Sequence, residues 1–398
     1  MNRIGLALLF FLSTTAAAVE IPPELAIVIP AAEAELGRTP ELPATKAAIK
    51  ESFALQKENK FAEAIERLSR EMPTAEGVQK GRLVYFSGYR KLAQEDYDGA
   101  EAEFHRIARG EVPAAEFEYA DARVRLAYIK LRRKDREGAR EEFLKIARGT
   151  VKADAAIATD AGLRAAAISR LMGKHTDARA LWEQVAEQAP KTDDRLYAKL
   201  QIAGLLWETG KGDYGKPATK AEANAIFQES MAVCREIIDH PDAIPETRAT
   251  AELIFLEGYY FQGDFATAGI LAKNHVEKWM AWSADNPDSA KKGWNPDRQI
   301  LTAQTWLCFC QYRTAQYEEC IASARLIRSG VWDEGIAYKN FNCFGYSLLY
   351  EAFSQEMLGD AAEGQRLRQE AFEKYPKWYN GVIASVERKL GIGELHNP

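Results

Sequence analysis

The chain has 398 residues, 47% hydrophobic and 28% charged, a balance too apolar for disorder and sufficient to bury a core. The formal net charge is −6, and basic residues are spread rather than massed. Nothing in that distribution calls for a nucleic-acid partner, which would favour a basic stripe.

In chain order, residues 1–18 read as a secretory signal peptide. Arg3 supplies a positive start, Ile4 to Leu12 an apolar run, and Ala16, Ala17 and Ala18 a small-residue cleavage point. The apolar run falls far below the roughly 20 residues that span a bilayer. No cysteine stands near the cleavage point to support a lipid anchor, and no transmembrane segment is expected after cleavage. The chain is therefore expected to be exported, periplasmic or secreted. Residues 19–44 hold Pro22, Pro23, Pro30, Pro40 and Pro43 and read as a Pro/Ala-rich linker or arm.

From about residue 45 the sequence repeats. Gly99 to Ala114 reads GAEAEFHRIARGEVPA and Gly138 to Ala153 reads GAREEFLKIARGTVKA, with ten of sixteen positions identical at an offset of 39 residues. A third copy follows 39 residues later, where Ala178, Trp182 and Val185 stand for Ala139, Phe143 and Ile146. Within a copy, Ala139, Phe143, Ile146 and Ala147 form one apolar stripe at helical spacing. Val124, Leu126, Ala127, Tyr128 and Leu131 fit a preceding helix, and a polar turn at Lys134 to Gly138 separates the two. The unit is a helical hairpin.

These residues resemble the tetratricopeptide repeat. Gly88, Tyr97, Ala100, Phe104 and Pro113 follow its order of Gly, Tyr, Ala-x3-Phe and closing Pro. Ala64, Leu68 and Pro73 look like an earlier copy. Tyr259, Gly263, Phe265 and Ala268, then Leu307, Cys308, Tyr317 and Cys320, and finally Ala352, Gly359 and Pro376 look like later ones. A degenerate copy starts near Leu200, with Gly204 in its helix and Gly210, Gly212, Gly215 and Pro217 in a loop. The resemblance implies an all-α fold, a right-handed solenoid of about eight hairpins. Its segments are N-terminal repeats over 45–192, a degenerate repeat with a loop insertion over 193–243, and C-terminal repeats over 244–390. The spacing departs from the usual period of about 34 residues.

Small residues twelve apart mark the helix crossings: Gly88 with Ala100, Ala127 with Ala139, Ala166 with Ala178, and Cys308 with Cys320. If Cys308 and Cys320 share a close crossing, they come within disulfide range; the alternative is two buried thiols filling small slots. An insertion at 279–297 carries Trp279, Trp282 and Trp294, which either cap the core or stack on a glycan or nutrient.

No signature of chemistry accompanies the repeats. The five histidines show no i, i+4 pair, Cys308 and Cys310 form C-x-C rather than C-x2-C, and no phosphate loop or nucleophile elbow is present. Carboxylates such as Glu101, Glu103, Glu141 and Glu142 fit a solvated helix face. No enzyme activity and no cofactor or metal are expected. First helices of such arrays line a concave face, and the positions beside the small slots should lie on it. These are Arg82, Tyr85, Tyr89, Tyr128, Arg132, Phe309, Tyr312, Arg313 and Phe353, residue types enriched at protein-binding hot spots. The resemblance implies a non-catalytic scaffold of the bacterial cell envelope holding a protein or peptide there.

Overall fold

The structure is a computed structural model that describes residues 42–212, 217, 219–289, 294–330, 332, 342–376 and 378–379. The signal-peptide reading of residues 1–18, the arm reading of 19–41 and the end of the last repeat at 380–390 lie outside the described residues.

Sixteen helices and no strand are found among the described residues, paired into eight hairpins. They are α1 (Pro43–Lys57) with α2 (Phe61–Glu71), α3 (Gly77–Ala93) with α4 (Tyr97–Ala108), α5 (Glu116–Arg132) with α6 (Arg136–Ala147), and α7 (Ala155–Leu171) with α8 (His175–Gln188). The later four are α9 (Thr192–Lys211) with α10 (Lys220–Ile238), α11 (Pro245–Gln262) with α12 (Phe265–Asp285), α13 (Asp297–Arg313) with α14 (Tyr317–Ile327), and α15 (Cys343–Met357) with α16 (Ala361–Lys374). The chain divides into two compact units, one ending at Ala198 and the other beginning at Lys199. No helix among the described residues is long and apolar enough to cross a membrane.

One turn geometry recurs. A left-handed residue follows each of seven first helices: Asn59, Glu95, Lys134, Gly173, Gly263, Ala315 and Gly359. The next residue donates its N–H back five positions, as in Asp96 to the Lys91 carbonyl and Asp135 to the Lys130 carbonyl, both 2.9 Å. Where that residue is Asp it also caps the second helix: Asp96 accepts from Gly99 N, and Asp135 from Gly138 N, each at 2.9 Å. The polar turns read from the sequence are thus stop and start signals in one.

Packing inside a hairpin follows a volume rule. A Cβ added at Gly88 would lie 2.9 Å from the Phe104 ring, which stands sixteen residues on. Ala127 and Phe143, and Ala166 and Trp182, occupy the same two slots, all fully buried. In α13 and α14 the sizes reverse, with Cys308 in the small slot and Ala324 in the large one.

Three expectations are corrected. Gly210 lies inside α9 rather than in a loop, and it takes the small slot in place of Gly204: its added Cβ would meet Phe227 of α10 at 2.8 Å. Trp279 and Trp282 belong to α12, which runs 21 residues, about six turns, past its capping Asp264 and so into the supposed insertion. Finally, α1 begins at Pro43, inside the supposed arm, with the proline in the first turn where its missing N–H costs nothing.

Candidate partner-binding face

In the unit ending at Ala198, the first helices meet through charge. Arg82 of α3 pairs with Glu118 of α5, both fully buried. Tyr85 Oη donates to Asp121 Oδ2 at 2.7 Å. Asp121 also accepts two bonds from Arg125, at 2.8 and 3.0 Å, whose guanidinium lies 4.7 Å from the Tyr89 ring centre. Burial pushes the Tyr85 hydroxyl well above its ordinary pKa. The same ion pair returns 39 residues later as Asp160 with Arg164, at 2.7 and 3.2 Å. Arg82, Arg125 and Arg164 therefore each face an acid of their own unit.

Arg90 differs. It is fully buried between α1 and α3, with Nε donating to Ser52 Oγ at 2.9 Å and the guanidinium 3.8 Å above the Phe53 ring. Its Nη1 and Nη2 have no hydrogen-bond partner, and burial lowers its pKa to about 10.

The expected groove residues are accordingly redistributed. Arg82, Tyr85 and Tyr89 are buried between α3 and α5 and are not presented to solvent. Phe309 and Phe353 are buried as well. For these five the expectation of an open groove position is corrected: large side chains on adjacent first helices fill the space between them. Tyr128 and Tyr312 are partly buried, and Arg132 and Arg313 exposed. Arg132 Nε donates to Tyr97 Oη at 3.0 Å, and Arg313 lies 4.3 Å from the Phe265 ring centre.

In the unit beginning at Lys199, the first helices meet through rings. Trp207 of α9 approaches Phe261 of α11 at 6.1 Å between ring centres, and Phe261 approaches Trp306 of α13 at 5.9 Å. Tyr260 stands 4.8 Å from Trp306, which stands 5.1 Å from Phe309. Phe309 then meets Tyr346 at 5.1 Å and Tyr350 at 4.3 Å on α15. Tyr312 adds an edge to Tyr350 at 5.6 Å and a tilted contact to Phe353 at 6.1 Å. One aromatic strip so crosses four consecutive first helices. Trp207, Trp306, Phe309 and Tyr350 are buried in it, while Tyr260, Phe261, Tyr312 and Tyr346 keep part of their surface in water.

Glu257 lies behind the strip, accepting a 2.6 Å hydrogen bond from Trp306 Nε1. Burial raises its pKa to about 7 against the opposing pull of Lys211 and the Trp306 bond.

No protein-family model and no curated protein matches the chain. Among solved structures, the apo form of RapI aligns with a TM-score of 0.54 at 12% identity, covering 87% of this chain and 92% of its own. The fold is tetratricopeptide-like. A tetratricopeptide repeat protein from Parabacteroides merdae (TM-score 0.39, 12% identity, 77% of this chain and 99% of that one) is also similar. So is the apo quorum sensor NprR from B. thuringiensis (0.39, 12%, 83% and 97%).

Within this tetratricopeptide-like array, the three tryptophans of α12 and the following turn form one cluster. Ring centres lie 5.8 Å apart for Trp279 and Trp282, 5.4 Å for Trp279 and Trp294, and 5.0 Å for Trp282 and Trp294. Trp279 is buried and its Nε1 donates to Glu252 at 2.7 Å. Burial pushes Glu252 up, but bonds from His275, Lys278 and Trp279 outweigh it and hold the carboxyl at about 2. The cluster caps the core of the neighbouring hairpins. Among the described residues, no group of three His, Cys, Asp or Glu is arranged to hold a metal ion.

Sequence reasoning missed Trp207, Tyr260, Phe261, Trp306, Tyr346 and Glu257. A usable signal existed for Phe261, which stands three residues after Gly258, where an added Cβ would meet Met231 of α10 at 2.6 Å, and for Trp207, three before the slot Gly210. Both depend on the true register of α9 and α11, which the degenerate repeat hides.

Proposed function

We propose that the protein is a non-catalytic scaffold that binds a protein or peptide on the first-helix face of the unit beginning at Lys199. The observation that carries this is the strip of partly exposed aromatics, Tyr260, Phe261, Tyr312 and Tyr346, held edge-to-face across α11, α13 and α15. Aromatic anchors already fixed by their neighbours lose little entropy on binding and concentrate affinity. The face of the other unit offers less, because its cations and acids pair with one another. The signal-like sequence at residues 1–18 favours action outside the cytoplasm, in the periplasm or beyond, and the resemblance favours an envelope role.

The test is selection of displayed random peptides on the whole protein, followed by calorimetry with the enriched sequences. A convergent peptide family should bind the wild type and lose about tenfold or more on Phe261→Ala with Tyr346→Ala. Thermal melting and circular dichroism report whether that variant still folds. Selection without convergence, or peptides that bind the folded double variant as well as the wild type, would overturn the reading. Oligosaccharide binding abolished by Trp282→Ala would transfer the function to the tryptophan cluster.

A further inference from the structure

We propose that Cys308 and Cys320 form a disulfide that staples α13 to α14 when the chain folds in an oxidising medium. Both side chains are fully buried at one helix crossing. Cys320 Sγ donates to the Cys308 carbonyl at 3.3 Å, and the two thiols also hydrogen-bond with each other. Burial pushes the Cys308 thiol up, and that bond pulls Cys320 down.

The crossing is built for two sulfur atoms. In the earlier hairpins the small slot faces a large ring, Phe104, Phe143 or Trp182. Here the large slot holds Ala324, which leaves room for both cysteines without overpacking. The other thiols have other neighbours. Cys310 faces α12, where a Cβ on Gly269 would lie 3.2 Å from its own Cβ. Cys234 lies on α10 beside Glu257, and Cys343 at the start of α15 bonds with Thr305.

The chemistry is thiol–disulfide exchange with a small disulfide such as oxidised glutathione. One cysteine thiolate attacks it, forming a mixed disulfide and releasing one glutathione thiolate, which takes up the proton lost by the attacking thiol. The second cysteine loses its proton and attacks the protein-side sulfur, closing the bond and releasing the second glutathione as thiol. Two cysteine thiols are oxidised and one glutathione disulfide is reduced. Cys320 Sγ also reaches the Tyr350 carbonyl of α15 at 3.8 Å, so that helix covers the site. The bond therefore closes before α15 docks, and afterwards it is shielded from reductant. It fixes the helix that carries Trp306 and Phe309, yet it stands independently of what the strip binds.

The whole protein is to be refolded from reduced denaturant in a glutathione redox buffer, alkylated under denaturing conditions, digested with trypsin and weighed. Three of the five thiols should alkylate. The peptides 299–313 and 314–325 should appear joined and separate on reduction. Because 299–313 also holds Cys310, the link should persist in Cys310→Ser and vanish in Cys308→Ser. Refolding with excess reductant instead of the glutathione buffer should lower the melting midpoint of the wild type and leave that of Cys320→Ala unchanged. Five alkylated thiols in the refolded wild type, or a link that survives Cys308→Ser, would overturn the proposal.

Discussion

Glu257 is a carboxyl group placed behind an aromatic wall. It faces Lys211 from α9, Cys234 from α10 and Trp306 from α13, and none of these offsets the loss of water. Its pKa is raised from 4.5 to about 7, so the folded state holds this proton more tightly than the unfolded chain does. Stability from the group is complete below pH 4.5 and is lost as pH rises through about 7. Glu246 acts in the same direction, through burial alone. Glu252 acts oppositely and lower: its contribution is present above its unfolded pKa and disappears as pH falls towards about 2. Glu257→Gln keeps a hydrogen-bonding group beside Trp306 and cannot ionise. Relative to that variant, the wild type should lose up to about 3 kcal/mol between pH 5 and pH 8. Urea midpoints measured across that range decide it; parallel pH profiles for the two proteins would show that Glu257 does not titrate there.

At the scale of helices, contact distance is set by a few glycines, and they are not equivalent. A Cβ on Gly88 meets the edge of the Phe104 ring at 2.9 Å. The next two hairpins show that this geometry admits a methyl group, since Ala127 and Ala166 stand in the same slot against Phe143 and Trp182. A Cβ on Gly81 would instead lie 2.0 Å from the carbonyl oxygen of Pro113, where α3 passes the loop between α4 and α5. Backbone cannot rotate away as a ring can. Gly81→Ala should destabilise by about 2–3 kcal/mol, through overpacking that outweighs the roughly 1 kcal/mol gained in helix propensity. Gly88→Ala should stay within about 1 kcal/mol of the wild type, because the same propensity gain offsets a small ring shift. Chemical denaturation of both variants ranks them; the reverse order would mean that the loop at Pro113 yields more readily than the core.

For the molecule as a whole, the 39-residue repetition carried most of the fold. Periodicity placed the helices of the first unit, the small slots and their large partners, because these are set by local spacing. Partner exposure was not legible in the same way. Tyr85 and Tyr89 look like surface anchors in sequence, but burial depends on what the adjacent first helix sends across: Asp121 and Arg125 arrive from 36 residues away to enclose them. Likewise the slot Gly210 escaped notice because Phe227 lies seventeen residues on, not sixteen. A stacked array has a further consequence that sequence and fold share: each hairpin leans mainly on its neighbours, so local damage should stay local. Phe104 packs in a cluster drawn from α1 to α5, with Tyr85, Ala122 and Ile129 among its members. Trp182, on α8 of the same unit, is not part of that cluster. Phe104→Leu should therefore lower native-state hydrogen-exchange protection in α3, α4 and α5 by about 1–2 kcal/mol. Protection in α8 should not change. An equal loss from α3 through α8 would mean that the unit opens as a single block, and the stacking account of its stability would have to be abandoned.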